Sequence, residues 1–414
     1  MSVSRPHNAS AENQLSLPEP DAEAQAHSEK LIALITDEIA AAGGRISFAR
    51  YMELALFAPG LGYYSAGASK FGEQGDFVTA PEISPLFSRA LAMQVAEVLL
   101  AMDADSGSER RGEVLGEVLE VGGGTGVMAA EMLAELEQLD ALPARYAILE
   151  LSADLQARQR QTISERVPHL LERVDWLTAL PAPGFRGVVV ANELLDALPV
   201  QCFCMTEDGL RERFVSFEDG RFKWVTAEAD TLTSQLPPDL LEQLSALPVG
   251  YQSELNLAAN AWVEAIAEML GAGVVLLIDY GFPRHEYYHP QRRRGTLMCH
   301  YRHRAHEDPF VYPGLQDITA HVDFTAIAEA AVSAGLDVRG YNTQGVFLLG
   351  CGLTELAQPF DSLHDERQQI LQAQQIRTLT LPAEMGERFK VIALARDYEN
   401  PLRGFAMQDL RHQL

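Results

Sequence analysis

The chain has 414 residues, 47% of them hydrophobic, enough for a large core with insertions or for two domains. Its formal net charge of −26, from 32 basic against 58 acidic residues, argues against general affinity for nucleic acid or anionic membranes, because phosphate would repel it. Such a charge serves solubility or suits a basic substrate. Four cysteines without a CxxC pair argue against a disulfide framework and a cysteine-based zinc site, so a reducing compartment is expected, most simply a bacterial cytoplasm.

Residues 1 to about 28 are polar and acidic, match neither a signal peptide nor an Arg-rich transit peptide, and predict a disordered tail. From Ser28, LIALITDEIAAAGG has helical spacing at Leu31, Leu34, Ile35 and Ile39 and stops at Gly43-Gly44. A second helix, SFARYMELALFAP, takes Ser47 as its cap and Pro59 as its stop. Pro59 to Ala80 predicts a loop, and SPLFSRALAMQVAEVLLAM a helix opening at Ser84 or Pro85. No run approaches 18 apolar residues, so no membrane insertion is expected.

Beyond residue 112, GEVLEVG, RYAILEL, ERVDWL, GVVVANEL and GAGVVLLIDYG read as apolar strands, with helices after Thr125 and over ADLQARQRQTISERV. The alternation predicts an α/β fold with a mostly parallel, Rossmann-like sheet covered on both faces. About Ala197 to Gly271 interrupts it with three strand-like pieces, a Pro-rich link and the helical run LNLAANAWVEAIAEML, an insertion placed as a lid or substrate wall. FTAIAEAAVSAGL (helix), DVRGYNTQGVFLLGCG (strand), a helix from Leu363 to Thr380 and RFKVIALARD (strand) close the chain, with an antiparallel hairpin at the sheet edge. The expected division is a tail (1–28), a helical N-terminal region with a covering loop (29–112), a core (113–196 plus 272–414) and the insertion (197–271).

The chemistry concentrates in VLEVGGGTG, Val118 to Gly126. Glu120 followed by Gly122, Gly124 and Gly126 is the pattern of class I S-adenosylmethionine methyltransferases, the carboxylate receiving the donor's ammonium. A dinucleotide fingerprint is the competing reading, since Gly124-Thr-Gly126-Val-Met-Ala129 has that form. A pyrophosphate beside Glu120 would be repelled, however. Glu150, 24 positions after Gly126, suits a carboxylate that accepts both ribose hydroxyls, or else a helix-terminal acid beside the cap Ser152. Asp175 and Trp176, at the end of the third strand, could take the adenine amino group and stack on its ring; a buried Trp and a solvated Asp explain them equally. Asn192, Glu193 and Asp196 follow the fourth strand, over the crevice where an open sheet binds its ligand. The loop from Arg284 to Asp308 is a basic island holding His300-x-x-His303, read as a surface loop that lines the acceptor groove or meets an acidic partner rather than as a metal site. There His300 could take a proton.

Longer motifs carry a resemblance. GEQGDFVTAPEIS (72–84), LEVGGGTG, ANELLDALPV, LIDYG (277–281), GTLMCHYRH (295–303), DPFVYPGLQDITAHVDF (308–324) and MGERFKV (385–391) together make the chain similar to the MidA-like methyltransferase family. That family includes the mitochondrial protein arginine methyltransferase needed for respiratory complex I assembly. The resemblance implies a class I methyltransferase fold, S-adenosylmethionine as cofactor and methyl transfer, with a protein arginine as acceptor in the mitochondrial branch. An arginine acceptor must be pinned by carboxylates, because its charge is permanent and its lone pairs are delocalised. Glu193 is expected to hold it, helped by Asp196, while the loop bearing Asp76, Thr79, Pro81 and Glu82 closes over the donor. A cofactor-binding protein without catalysis and an NAD-dependent oxidoreductase remain the other two readings.

Overall fold

The computed structural model describes residues 17–65, 79–106, 113–357 and 365–414. The central sheet is the expected one. β1 (Glu117–Val121), β2 (Tyr146–Leu149), β3 (Val174–Leu177), β4 (Phe185–Asn192) and β5 (Leu270–Phe282) run parallel. β6 (Asp337–Thr343) and β7 (Phe389–Arg396) complete it, with β7 antiparallel to both β5 and β6. The order is β3-β2-β1-β4-β5-β7-β6, so the chain reverses direction across the sheet between β1 and β4. Side chains alternate between two cores: Val188, Val190, Leu276 and Ile278 enter one, Val189, Ala191, Val275 and Leu277 the other. Burial on both faces is why these strands read as unbroken apolar runs.

Several boundaries move. Helix α1 (Ala22–Ala41) starts inside the expected tail, because Asp21 caps the Ala24 N–H at 2.9 Å and Ser28 is buried, bonded to the Pro313 carbonyl. Residues 1–16 of that tail lie outside the described residues. Helix α2 (Phe48–Phe57) is capped by Ser47 as expected. Helix α3 (Pro85–Ser106) begins at Pro85, with Ser84 Oγ accepting from the Leu86 N–H. Its stretch Pro85–Ala104 is long and apolar enough to cross a membrane by composition, yet Phe87, Leu91, Val95 and Leu99 are buried in the sheet's core. Helices α4 (Val127–Gln138) and α5 (Ala153–Arg166) follow β1 and β2.

The insertion ends earlier than expected. Helix α6 (Leu257–Met269), capped by Asn256, packs Val263, Ile266 and Ala267 against the sheet. It belongs to the core, because joining parallel β4 to β5 requires a crossover on the sheet's face. The remaining insertion forms an antiparallel meander, Gln201–Thr206, Gly209–Glu218 and Arg221–Glu228, closed by Gln252–Leu255. Ile46–Ser47 pairs with its middle strand, and α1 and α2 share its apolar core through Leu31, Ile35, Tyr51, Val200 and Val215. Helices α1 and α2 and the insertion therefore form one unit beside the sheet. In the C-terminal part, GVFLLG is helical (Gln344–Gly350) rather than strand: Phe347 and Leu348 bury on one side, a periodicity that a short apolar run cannot reveal.

Candidate active site

A cavity of about 1250 Å³ opens over the carboxyl ends of β1, β2 and β4, where the sheet reverses direction. One half is built from the glycine turn. Gly122, Gly124 and Gly126 have φ of +75°, +51° and +82°, and Gly126 caps α4, whose first N–H groups face the cavity end of the turn. A Cβ on Gly126 would sit 2.8 Å from Gln159 Cα. Gly126→Ala is therefore expected to cost about 2–4 kcal/mol, the sum of a left-handed residue and a backbone clash. A lowered urea midpoint at unchanged slope checks it.

Glu120 lines the cavity while itself fully buried. Tyr146 Oη donates to its Oε2, whereas its Oε1 has no hydrogen-bond partner among the described residues. Burial pushes its pKa up to about 7, against the Tyr146 hydrogen bond and with a smaller push from Glu150. Glu150, also on the cavity wall, accepts from the Ser152 N–H at 2.9 Å and from Gln159 Nε2 at 3.2 Å. It stands before the helix cap, Ser152, rather than in the helix.

The other half is acidic. Asn192 ends β4 and donates from Nδ2 to Glu193 Oε1 at 3.1 Å; its own Oδ1 is buried without a partner among the described residues. Glu193 holds a left-handed backbone, φ +52°, unusual outside glycine and a mark of strain near functional sites. Burial, then the charge of Asp279, raise its pKa to about 8. Asp196 is buried and raised well above the ordinary range by burial and by Asp279, Asp317 and Glu193. Behind them Asp279 accepts from the Leu195 and Asp196 N–H groups, fixing the turn that carries Asp196. Asp317, opposite His300 on the neighbouring strand, accepts from Tyr64 Oη at 2.9 Å and faces the same cavity. The cavity wall also carries Arg388, whose charge acts on Tyr280.

Thr79, Pro81 and Glu82 also line the cavity. Glu82 accepts from Thr125 Oγ1 at 3.2 Å, and the Ala80 N–H reaches Glu193 Oε1 at 3.4 Å, so this segment touches both halves. Asp76 lies outside the described residues. His300 faces the cavity, its pKa lowered by burial and then by His306, whereas His303 sits in an exposed turn. The basic island disperses: Arg284 is buried against Asp323 and Glu329, and Arg294 pairs with Glu307.

Asp175 and Trp176 are not brought to the cavity. Asp175 is exposed toward Arg145, and Trp176 donates to Gln159 Oε1 at 2.9 Å beneath the Arg160 guanidinium. The strand runs on to Leu177, so the residues beyond its end, Thr178, Ala179 and Leu180, line the wall instead. Sequence reasoning missed Tyr64, Asp317, Tyr280, His321 and Gln159. Asp279 could have been found, since it breaks the apolar run of β5.

The residues suit an S-adenosylmethionine donor. A buried carboxylate oxygen without a partner can meet an ammonium, a helix N-terminus and positive-φ glycines leave the backbone open, and Glu150 offers acceptors to a diol. Comparisons with known proteins agree. Residues 90–342, well over half of the chain, match the model of an S-adenosyl-L-methionine-dependent methyltransferase family. A crystal structure from Burkholderia thailandensis, bound to S-adenosyl-homocysteine, is 46% identical with a TM-score of 0.87, covering 96% of this chain and 100% of that one. Among curated relatives, the mitochondrial protein arginine methyltransferase NDUFAF7 homolog of Drosophila melanogaster is 29% identical, covering 85% of this chain and 82% of its own length. The human protein arginine methyltransferase NDUFAF7 is 28% identical, covering 85% and 80%. The chain belongs to this family of class I S-adenosyl-L-methionine-dependent methyltransferases.

Proposed function

We propose that the methyl acceptor is the guanidinium of a protein arginine. One observation carries this reading: Glu193, Asp196 and Asp317 converge on the cavity that holds the donor cradle, with Asp279 behind them, and burial and mutual repulsion hold Glu193 and Asp196 above the ordinary carboxylate range. A buried acidic cluster of this kind suits a cation, and a planar, permanently charged guanidinium supplies one with donors in a fixed fork. The names of the curated relatives point the same way.

S-adenosylmethionine supplies a methyl group activated by its sulfonium. Glu120 and Glu150 hold the donor's ammonium and ribose ends, and Thr79, Pro81 and Glu82 cover it. Glu193 and Asp196 pin the guanidinium and draw its charge away from the attacking nitrogen, which mainly requires alignment and exclusion of water. Methylation of a guanidinium releases one proton. An ionised carboxylate of the cluster, or His300, whose pKa burial lowers so that the neutral imidazole is favoured, can accept it. A reducing compartment is part of the proposal, supported by four free cysteines, three of them buried.

The test is a labelled-donor reaction on lysate from a strain lacking this gene, read by mass spectrometry. Methylarginine in a protein is the expected result. Label confined to lysine, nucleic acid or small molecules would overturn the acceptor reading and leave the methyltransferase intact.

A further inference from the structure

Helix α5 packs across the glycine turn, and one of its residues has a bonding pattern that the donor contacts do not account for. Gln159 is fully buried. Its Nε2 donates to the Gly124 carbonyl at 3.0 Å and to Glu150 Oε2 at 3.2 Å, while its Oε1 accepts from Trp176 Nε1 at 2.9 Å. A single amide thus ties the turn after β1, the carboxylate after β2 and the indole of β3. Three residues on, along the same helical face, Thr162 Oγ1 donates to the Thr125 carbonyl at 2.7 Å. The glycine turn is held from behind by two side chains of one helix.

We propose that Gln159 is a positioning residue for donor binding: it fixes the rotamer of Glu150 and the placement of the Gly124 peptide, so that both meet the ribose side of the donor already in place. The geometry gives it no route to the acceptor, because Gly124 and Glu150 belong to the donor half and Trp176 lies off the cavity. Both donors and the acceptor of the amide are in use, so neither a hydrocarbon nor a carboxylate of the same size reproduces the set. Orientation by a supporting hydrogen bond acts on the ligand-binding group rather than on the ligand. The inference rests on Glu150 receiving the ribose hydroxyls.

The test compares Gln159→Met, Trp176→Phe and Glu150→Ala for S-adenosylhomocysteine affinity by calorimetry and for steady-state methylation. Gln159→Met is expected to weaken S-adenosylhomocysteine about tenfold, the loss from one or two hydrogen bonds. The KM for S-adenosylmethionine should rise by a similar factor, with kcat at saturation and the acceptor KM within about twofold of wild type. Against an S-adenosylhomocysteine analogue lacking the 2′- and 3′-hydroxyls, wild type and Gln159→Met should bind alike. Trp176→Phe removes the anchor on Gln159 and should show the same split at roughly threefold; it replaces Gln159→Met if that variant does not fold. A variant that is merely less stable would lower Tm and leave the S-adenosylhomocysteine affinity and the KM for S-adenosylmethionine unmoved, and that result overturns the proposal. If Glu150→Ala also leaves S-adenosylhomocysteine affinity unchanged, the ribose assignment itself is wrong. If Glu150→Ala weakens binding and Gln159→Met does not, only the role of Gln159 falls.

Discussion

Glu193→Gln is expected to lower methyl transfer by about 10²–10³-fold while making the free protein more stable. The activity loss is that of removing one partner from a buried charge pair, about 2–5 kcal/mol. The stability gain follows from the sign of the pKa shift. Glu193 has a folded pKa of about 8, set mainly by burial, above its ordinary value near 4.5. The folded state therefore binds more protons than the unfolded state between these values, and stability falls as pH rises through that window. A neutral amide escapes this penalty and keeps the acceptor oxygen that serves Asn192 Nδ2 and the Ala80 N–H. At about 1.4 kcal/mol per pH unit, the gain at pH 7 is on the order of 3 kcal/mol, or a Tm rise of a few degrees. It should vanish near pH 4 and level off above pH 8. Differential scanning fluorimetry across pH, beside labelled-donor turnover, reads both effects. A variant that is less stable at pH 8, or that methylates at the wild-type rate, would remove Glu193 from the acceptor site.

This opposition explains why the site was only half legible in the sequence. Glu120, the glycine turn, Glu150 and the Asn192–Asp196 segment stand out because each is a polar break directly after an apolar strand, a signal carried by neighbouring residues. The sheet is legible for the same reason: burial on both faces writes itself into consecutive positions. Asp317, Tyr64 and His321 carry no such mark. They reach the cavity on segments that come from the N-terminal helices and from the region after β5, and only tertiary packing brings them opposite Glu193. Asp175 and Trp176 lie inside a strand that runs on to Leu177, so the cavity wall falls to the residues beyond its end. Gln159 looks like any polar residue of an exposed helix until its partners on three strands' ends are in view. Donor sites of this fold are thus largely local in sequence, whereas the acceptor site is assembled from distant segments.

Donor binding itself should depend on pH through Glu120. Its carboxyl is raised to about 7 by burial, so near neutrality the free protein is a mixture of the neutral and ionised forms. An ammonium beside Oε1 requires the ionised form. S-adenosylhomocysteine affinity should therefore rise close to tenfold per pH unit below about 7 and flatten above it, with proton release on binding at pH 6.5. Calorimetry in buffers of different ionisation enthalpy measures that release. Tyr146 sets the midpoint, since its hydroxyl donates to Oε2 and favours the charged form. Tyr146→Phe should move the midpoint upward and weaken binding at pH 7 several-fold, with less effect at pH 9. Glu120→Gln should abolish the slope and weaken binding at pH 8 by about a hundredfold, the worth of a buried charge-assisted contact. Glu193 and Asp279 also titrate near this range, but they lie in the acceptor half, so their protonation should persist in Glu120→Gln without a matching slope in donor affinity. An affinity flat from pH 6 to 8 in the unaltered protein would mean that the unpartnered oxygen of Glu120 does not meet the ammonium. The sulfur-bearing ligand would then be oriented by the glycine turn and Glu150 alone.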